Sequence, residues 1–185
     1  MLQHKHIVLI LIFGWMALQN AWSDDELQAI KIQAHYQIQS GTRVGRVVIV
    51  CDIPEGHHIY STQQASPPGP TKIKIADSDK FKLTAGFTAD RKPIVVEHDP
   101  VFETRLEQFD GKVAFTAPLQ LAGDAELEKL VMELTINCQV CTNTECVIVR
   151  NKKIEVQFGG YFDPEAEKKA KPPQSPKGSL SGKDD

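Results

Sequence analysis

The chain has 185 residues, of which 41% are hydrophobic and 24% charged, and its formal net charge is −3. This length suits one domain with a core of ordinary size. The excess of acids argues against nucleic acid as a partner, because neutralising phosphates requires a basic face. The four cysteines are the most informative part of the composition.

The first 23 residues have the pattern of a secretory signal peptide. Lys5 gives a weakly basic head, residues 7–18 form an apolar run too short to cross a bilayer comfortably, and Ala21 and Ser23 are small residues at a cleavage site. We expect cleavage after Ser23, export, and no membrane span in the mature chain, whose formal charge becomes −4. The alternative is an uncleaved membrane anchor. In an oxidising compartment, cysteines form disulfides or do redox work.

From residue 28 onward, apolar and polar residues alternate in short segments separated by turn signals. Residues 28–39 and 43–53 are predicted to be the first two strands, and further strands follow at hairpin spacing. About nine short strands and no long helix predict an all-β sandwich. We expect residues 24–161 to form this domain. Residues 162–185 are rich in proline and lysine and predict a disordered tail.

Two cysteines are predicted to lie in the core. Cys51 shares a strand face with Val47 and Ile49, and Cys138 shares one with Leu134 and Ile136. Inward cysteines on two strands could bridge the sheets, as in immunoglobulin domains. They could equally be two free core thiols. The sequence leaves both alternatives open.

The segment 138–146 holds three of the four cysteines between two predicted strands. Cys141 continues the polar face of the first strand, which predicts a position at the wet edge of the sheet, and Cys146 returns beside it after four residues. Strand parity therefore favours a Cys141–Cys146 pair. A disulfide closing so short a loop contributes only about 2 kcal/mol. The pair is either a labile redox disulfide or a staple in a small exported domain.

Three other residues stand out. His58 follows His57 directly, and neighbours on a strand point to opposite faces, so the two do not easily bind one metal ion. His58 and Tyr60 share a face. Phe102 lies in a polar loop, where an aromatic side chain is either anchored in the core or placed to cover something.

These segments together resemble one family, the periplasmic N-terminal domain of the thiol:disulfide interchange protein DsbD. The resemblance covers about residues 30–158 and is carried by three segments in order. They are residues 54–61 (PEGHHIYS), residues 97–102 (EHDPVF) followed by Phe109, and residues 138–146 (CQVCTNTEC). The resemblance implies an immunoglobulin-like antiparallel β-sandwich in the periplasm.

The resemblance also implies residue roles. Cys141 and Cys146 would be the exchanging pair, Phe102 the aromatic residue of a cap, and Tyr60 and His58 residues lining the site. The expected activity is thiol–disulfide exchange without a cofactor or metal. It would relay electrons from a membrane thiol electron transporter or a thioredoxin-like reductant to periplasmic thiol proteins, among them thioredoxin-fold proteins.

The chain departs from the family pattern in three respects. Val147-Ile148 follows Cys146 in place of two prolines, and Cys138 replaces an aromatic residue. We also expect neither a transmembrane electron-transfer domain nor a thioredoxin-like domain, so the protein would dock to separate partners, as an electron carrier or a protein-disulfide reductase. Two alternatives are an immunoglobulin-like binding module with structural disulfides, and a metal site on Cys138, Cys141, Cys146 and a histidine.

Overall fold

The structure is a computed structural model that describes residues 30–65 and 67–170. The expected signal peptide, its cleavage after Ser23 and the tail beyond residue 170 lie outside the described residues. The regular secondary structure of the described part is almost entirely β-strand. In chain order the elements are β1 (Lys31–Gln39), β2 (Val44–Asp52), β3 (His58–Tyr60), β4 (Lys72–Ile75), β5 (Phe81–Leu83), β6 (Thr88–Ala89), β7 (Ile94–Val96), β8 (Leu106–Phe109), β9 (Lys112–Leu121), β10 (Met132–Cys141), β11 (Cys146–Phe162) and α1 (Pro164–Ala170).

The strands form two layers that share β11. One layer has the order β5-β9-β2-β1-β11, with β6 also on β9, and the other has the order β11-β10-β3-β8-β7, with β4 also on β10. The first part of β11 pairs antiparallel with β10, and its last part, from Gln157, pairs parallel with β1. The other strand pairs are antiparallel. The predicted all-β, immunoglobulin-like sandwich is confirmed.

The core lies between the layers and follows from the alternation in the sequence. Alternate residues of β2, β9 and β10 are buried, and their neighbours are exposed or half-buried. Burying a large aliphatic or aromatic side chain contributes about 1.5–3 kcal/mol. Cys51 and Cys138 both lie in this core, as predicted, and both are free thiols.

The chain stays ordered further toward its C-terminus than composition predicted. Residues 162–170 were expected to be disordered, but β11 runs to Phe162 and α1 follows it. Arg46 of β2 explains the difference, because its guanidinium donates to Glu167 Oε2 at 2.8 Å and stacks 4.3 Å from the centre of the Phe162 ring. Composition does not reveal this contact, since Arg46 lies more than a hundred residues before Phe162 and Glu167 in the chain.

Candidate functional site

A tight hairpin brings Cys141 and Cys146 together. Cys141 ends β10 and Cys146 begins β11, so the two residues face each other across the ladder with their Cα atoms 4.0 Å apart and their sulfurs joined in a disulfide. The Thr142 amide donates to the Glu145 carbonyl oxygen at 2.8 Å. The Thr142 hydroxyl oxygen accepts from the amides of Thr144 and Glu145, each at 3.2 Å. The turn chemistry of residues 142–145 therefore fixes the register that pairs the cysteines.

The two cysteines have different environments. Cys141 is only 1% exposed, whereas Cys146 is exposed. The prediction that Cys141 lies at a wet edge is wrong. Its parity was assigned correctly, because Cys141 lies on the face of β10 away from Cys138 and the core. That face, however, is covered by a second, smaller cluster whose members are Tyr60, Leu106, Cys141, Val96 and Phe102.

The cover over Cys141 is a compact turn that follows β7. The Asp99 carboxylate accepts hydrogen bonds from the amides of Val101 and Phe102, each at 2.9 Å. The Glu103 amide donates to the Asp99 carbonyl oxygen at 2.8 Å, and Glu103 has a left-handed backbone conformation with φ 53°. This turn presents the Phe102 ring to Tyr60, edge to face, with ring centres 6.4 Å apart. The aromatic residue of the polar loop thus helps to cover Cys141.

His58 and Tyr60 come to the site from β3. His58 is the register partner of Cys141 on the neighbouring strand, and Tyr60 lies two residues further on the same face. His58 Nε2 lies 3.4 Å from the Tyr60 hydroxyl, and the two rings meet edge to face. Burial lowers the pKa of His58, which Asp99 partly opposes, and burial raises the pKa of Tyr60. The site therefore holds a neutral imidazole and a phenol at neutral pH.

A groove of about 400 Å³ runs past these residues and reaches Cys146. Its lining includes His58, Tyr60, Phe102 and residues 142–146. A larger groove of about 910 Å³, between β4 and β5, contains neither cysteine nor histidine. Of these two grooves, the smaller one is therefore the one that reaches the disulfide.

The two remaining cysteines are unsuited to exchange. Burial raises the pKa of Cys51 to about 12, with a further contribution from Cys138, and burial raises the pKa of Cys138 to about 11. Cys138 also faces the core, on the opposite side of β10 from Cys141. The three sulfurs of residues 138–146 thus do not converge. In residues 30–65 and 67–170, no three His, Cys, Asp or Glu side chains are grouped as metal ligands would be.

Sequence reasoning missed two contributors to the site. Leu106, at the start of β8, is 2% exposed and packs with Cys141, and Asp99 forms the turn that carries Phe102. Asp99 had a local signal, because an aspartate before proline often starts a turn of this kind. Leu106 had none, since its partners lie on β3 and β10.

The fold and the site define a β-sandwich domain with a hairpin disulfide, of which Cys141 is packed in an aromatic and aliphatic cluster and Cys146 is exposed. The family model for the N-terminal part of the thiol:disulfide interchange protein DsbD matches residues 25–158. The chain therefore belongs to the DsbD N-terminal domain family, for which the sequence motifs gave the first indication.

One solved structure shares the fold at a TM-score of 0.50. The N-terminal periplasmic domain of ScsB from Proteus mirabilis matches with a TM-score of 0.50 and 12% identity, covering 84% of this chain and 55% of that one. The chain thus spans about half the length of that structure. The yeast GGA1 GAE domain (10% identity, 69% and 91% covered) and the periplasmic chaperone SfaE (12%, 75% and 61%) have TM-scores of 0.37 and 0.23. A comparison with curated proteins gave no match. Within the part of the chain that the structure describes, no helix has the length and hydrophobicity needed to span a bilayer.

Proposed function

We propose that this protein is an exported, periplasmic thiol–disulfide exchange domain. It passes electrons between a membrane thiol electron transporter, or a thioredoxin-like reductant, and periplasmic thiol proteins of the thioredoxin fold. Membership of the DsbD N-terminal family supports the reaction class. The observation that carries the proposal is the asymmetric disulfide, with Cys141 under the cover and Cys146 exposed beside a groove.

Exposure suggests the order of steps. A partner thiolate attacks the Cys146 sulfur, the Cys141–Cys146 bond breaks, and Cys141 leaves with the electron pair. The partner's second thiolate then attacks the partner's first sulfur, which is bonded to Cys146 in the mixed disulfide, and Cys146 leaves as a thiolate. The partner is oxidised to a disulfide and the domain becomes a dithiol. Delivery of electrons to a target disulfide runs through the same steps in reverse.

The cover has a role in this scheme. Phe102 and Tyr60 close over Cys141, so a small oxidant or an unrelated thiol meets a packed aromatic surface there. A partner with a complementary surface would displace Phe102 and gain access to Cys141 as well as to the exposed Cys146. The proposed role of the cover is therefore selectivity between partners.

Trapping tests the proposed function. Cys141→Ser keeps the exposed Cys146 as a nucleophile but removes the residue that resolves the mixed disulfide, so we expect a stable disulfide-linked complex with an oxidised thioredoxin-fold protein. Cys146→Ser should trap much less of it. Cys51→Ala and Cys138→Ala are controls, because both thiols are buried in the core.

The rival function, an immunoglobulin-like binding module with a structural disulfide, predicts a different result. Neither serine variant would form a complex, and the Cys141–Cys146 bond would resist reduction in the folded protein. That outcome would contradict the relay.

A further inference from the structure

The environment of Cys141 presents a chemical difficulty for exchange. Its immediate neighbours in the second cluster are Leu106, Val96 and two aromatic rings. An apolar environment disfavours a thiolate, and the thiolate is the form that attacks or leaves in disulfide exchange. A group that moves a proton to and from Cys141 would remove this difficulty.

His58 is the side chain placed for that task. It is the register partner of Cys141 on β3, and side chains at directly opposed positions of antiparallel strands have Cβ atoms about 4.5–5.5 Å apart. The Tyr60 hydroxyl lies 3.4 Å from His58 Nε2. This contact holds the imidazole at the cover and leaves its other nitrogen without a partner among the hydrogen bonds of the described residues.

Building on the proposed function, we propose that His58 is the acid–base residue for Cys141. When Cys146 is joined to a target in a mixed disulfide, the His58 imidazole takes the proton from the Cys141 thiol. The Cys141 sulfur attacks the Cys146 sulfur, the bond between Cys146 and the target breaks, and the target leaves as a thiolate with the electron pair. The imidazolium then gives its proton to the departing thiolate or to water. When a partner reduces the domain, the His58 imidazole takes a proton from the partner's thiol or from water, and the imidazolium passes it to Cys141 as that sulfur leaves.

The charges around His58 fit the role of base. The titratable groups that act on His58 electrostatically, contact it or line the same groove are Asp99 on the cover, Asp110 after β8, His57 before β3, Tyr60 on its own strand and Glu145 in the hairpin turn. Burial outweighs the carboxylates, so the pKa of His58 lies below its ordinary 6.5 and the imidazole is neutral at neutral pH. Base catalysis is then present above the His58 pKa and is lost as the pH falls through it.

An aromatic disulfide reagent that releases a coloured thiolate separates the two cysteine steps. The reduced protein should release one equivalent when Cys146 attacks the reagent and a second when Cys141 resolves the mixed disulfide. Because general bases contribute about 10²–10⁴-fold, we expect His58→Gln to slow the second release at neutral pH at least about tenfold. The first release should stay within about twofold. His57→Gln is the matched control, since the Nδ1 atom of His57 contacts the Glu55 carbonyl oxygen instead.

The pH profile of the second release and its rescue by imidazole decide the proposal. The second release in His58→Gln should rise with pH as the thiol ionises, whereas in the natural protein it should bend at the His58 pKa and then level off. Free imidazole should restore part of the rate in His58→Ala. A second release that keeps the same rate and pH profile in His58→Gln overturns the proposal, and so does a profile in the natural protein with no bend below 6.5. This assay uses no physiological partner, so it is independent of the trapping experiment. If both releases behave as expected but Cys141→Ser traps no thioredoxin-fold protein, the proposed relay is refuted and the proposed role of His58 is not.

Discussion

Reduction of the Cys141–Cys146 disulfide should cost the fold little free energy. The cysteines are separated by 5 positions in sequence and already face each other across a hairpin. For a loop of this size, the chain-entropy model gives a loss of about 2 kcal/mol on reduction. A domain of this size has a free energy of unfolding of about 5–15 kcal/mol, so the reduced protein should stay folded.

The assay is urea unfolding of the oxidised protein, the reduced protein and the double variant Cys141→Ser/Cys146→Ser. We expect the midpoint to fall in the last two by an amount that corresponds to about 2 kcal/mol, with nearly the same dependence on urea. Native circular dichroism should persist after reduction.

A much larger loss would refute this reasoning. If reduction removed about 5 kcal/mol, the oxidised protein would have to contain a disulfide closing a far longer loop, as a Cys51–Cys138 bridge would. If reduction unfolded the domain, the hairpin disulfide would be a structural staple.

Three further predictions concern the cover, the core thiols and the first hairpin. Phe102→Ala removes a ring contact with Tyr60 worth about 0.5–1.5 kcal/mol and opens the cluster around Cys141, the sulfur that leaves when a thiol attacks Cys146. Dithiothreitol should therefore reduce the disulfide about two- to tenfold faster. Val101→Ala, at a side chain 73% exposed, should leave the rate unchanged, and equal rates in both variants would contradict the role of the cover. Because burial raises the pKa of Cys51 to about 12 and that of Cys138 to about 11, neither thiol should react with an alkylating reagent at about pH 8 in the folded protein, and rapid labelling seen by peptide mass spectrometry would be inconsistent with the structure. A Cβ atom at Gly45 would lie against the Gln37 carbonyl oxygen and 2.6 Å from Ile38 Cδ1, so Gly45→Ala should lower the free energy of unfolding by about 1–3 kcal/mol in urea. Gly86→Ala, where nothing lies within 4 Å, is its control, and equal effects at the two positions would show that the β1–β2 contact is not tight.

Strand parity predicted much of the fold because it is a local property. It placed Cys51 and Cys138 in the core and Cys141 on the opposite face of β10, and the structure agrees in each case. Parity could not reveal that a second layer covers Cys141. That layer comes from β3, from β8 and from the turn at Asp99, and only tertiary contacts bring them together.

The segment from residue 162 also shows that local sequence patterns do not reveal tertiary contacts. Charged and proline-rich composition predicted disorder from residue 162, yet Arg46 holds Phe162 and Glu167 in place. The resemblance to a known family, by contrast, rests on short motifs that are far apart in the sequence. The motifs pointed to Cys141, Cys146, Phe102, Tyr60 and His58, and the structure brings these five side chains to one end of the sandwich.

The most direct test of the proposed relay is the reduction potential of the Cys141–Cys146 pair in the folded domain. The protein would be equilibrated in thiol–disulfide buffers, alkylated, and analysed by peptide mass spectrometry to locate each thiol. The relay predicts reversible opening of this one pair at a potential between about −270 and −120 mV, the range of thioredoxin-fold proteins. A pair whose reduction potential lies below about −300 mV, or that opens only when the protein unfolds, would contradict the relay.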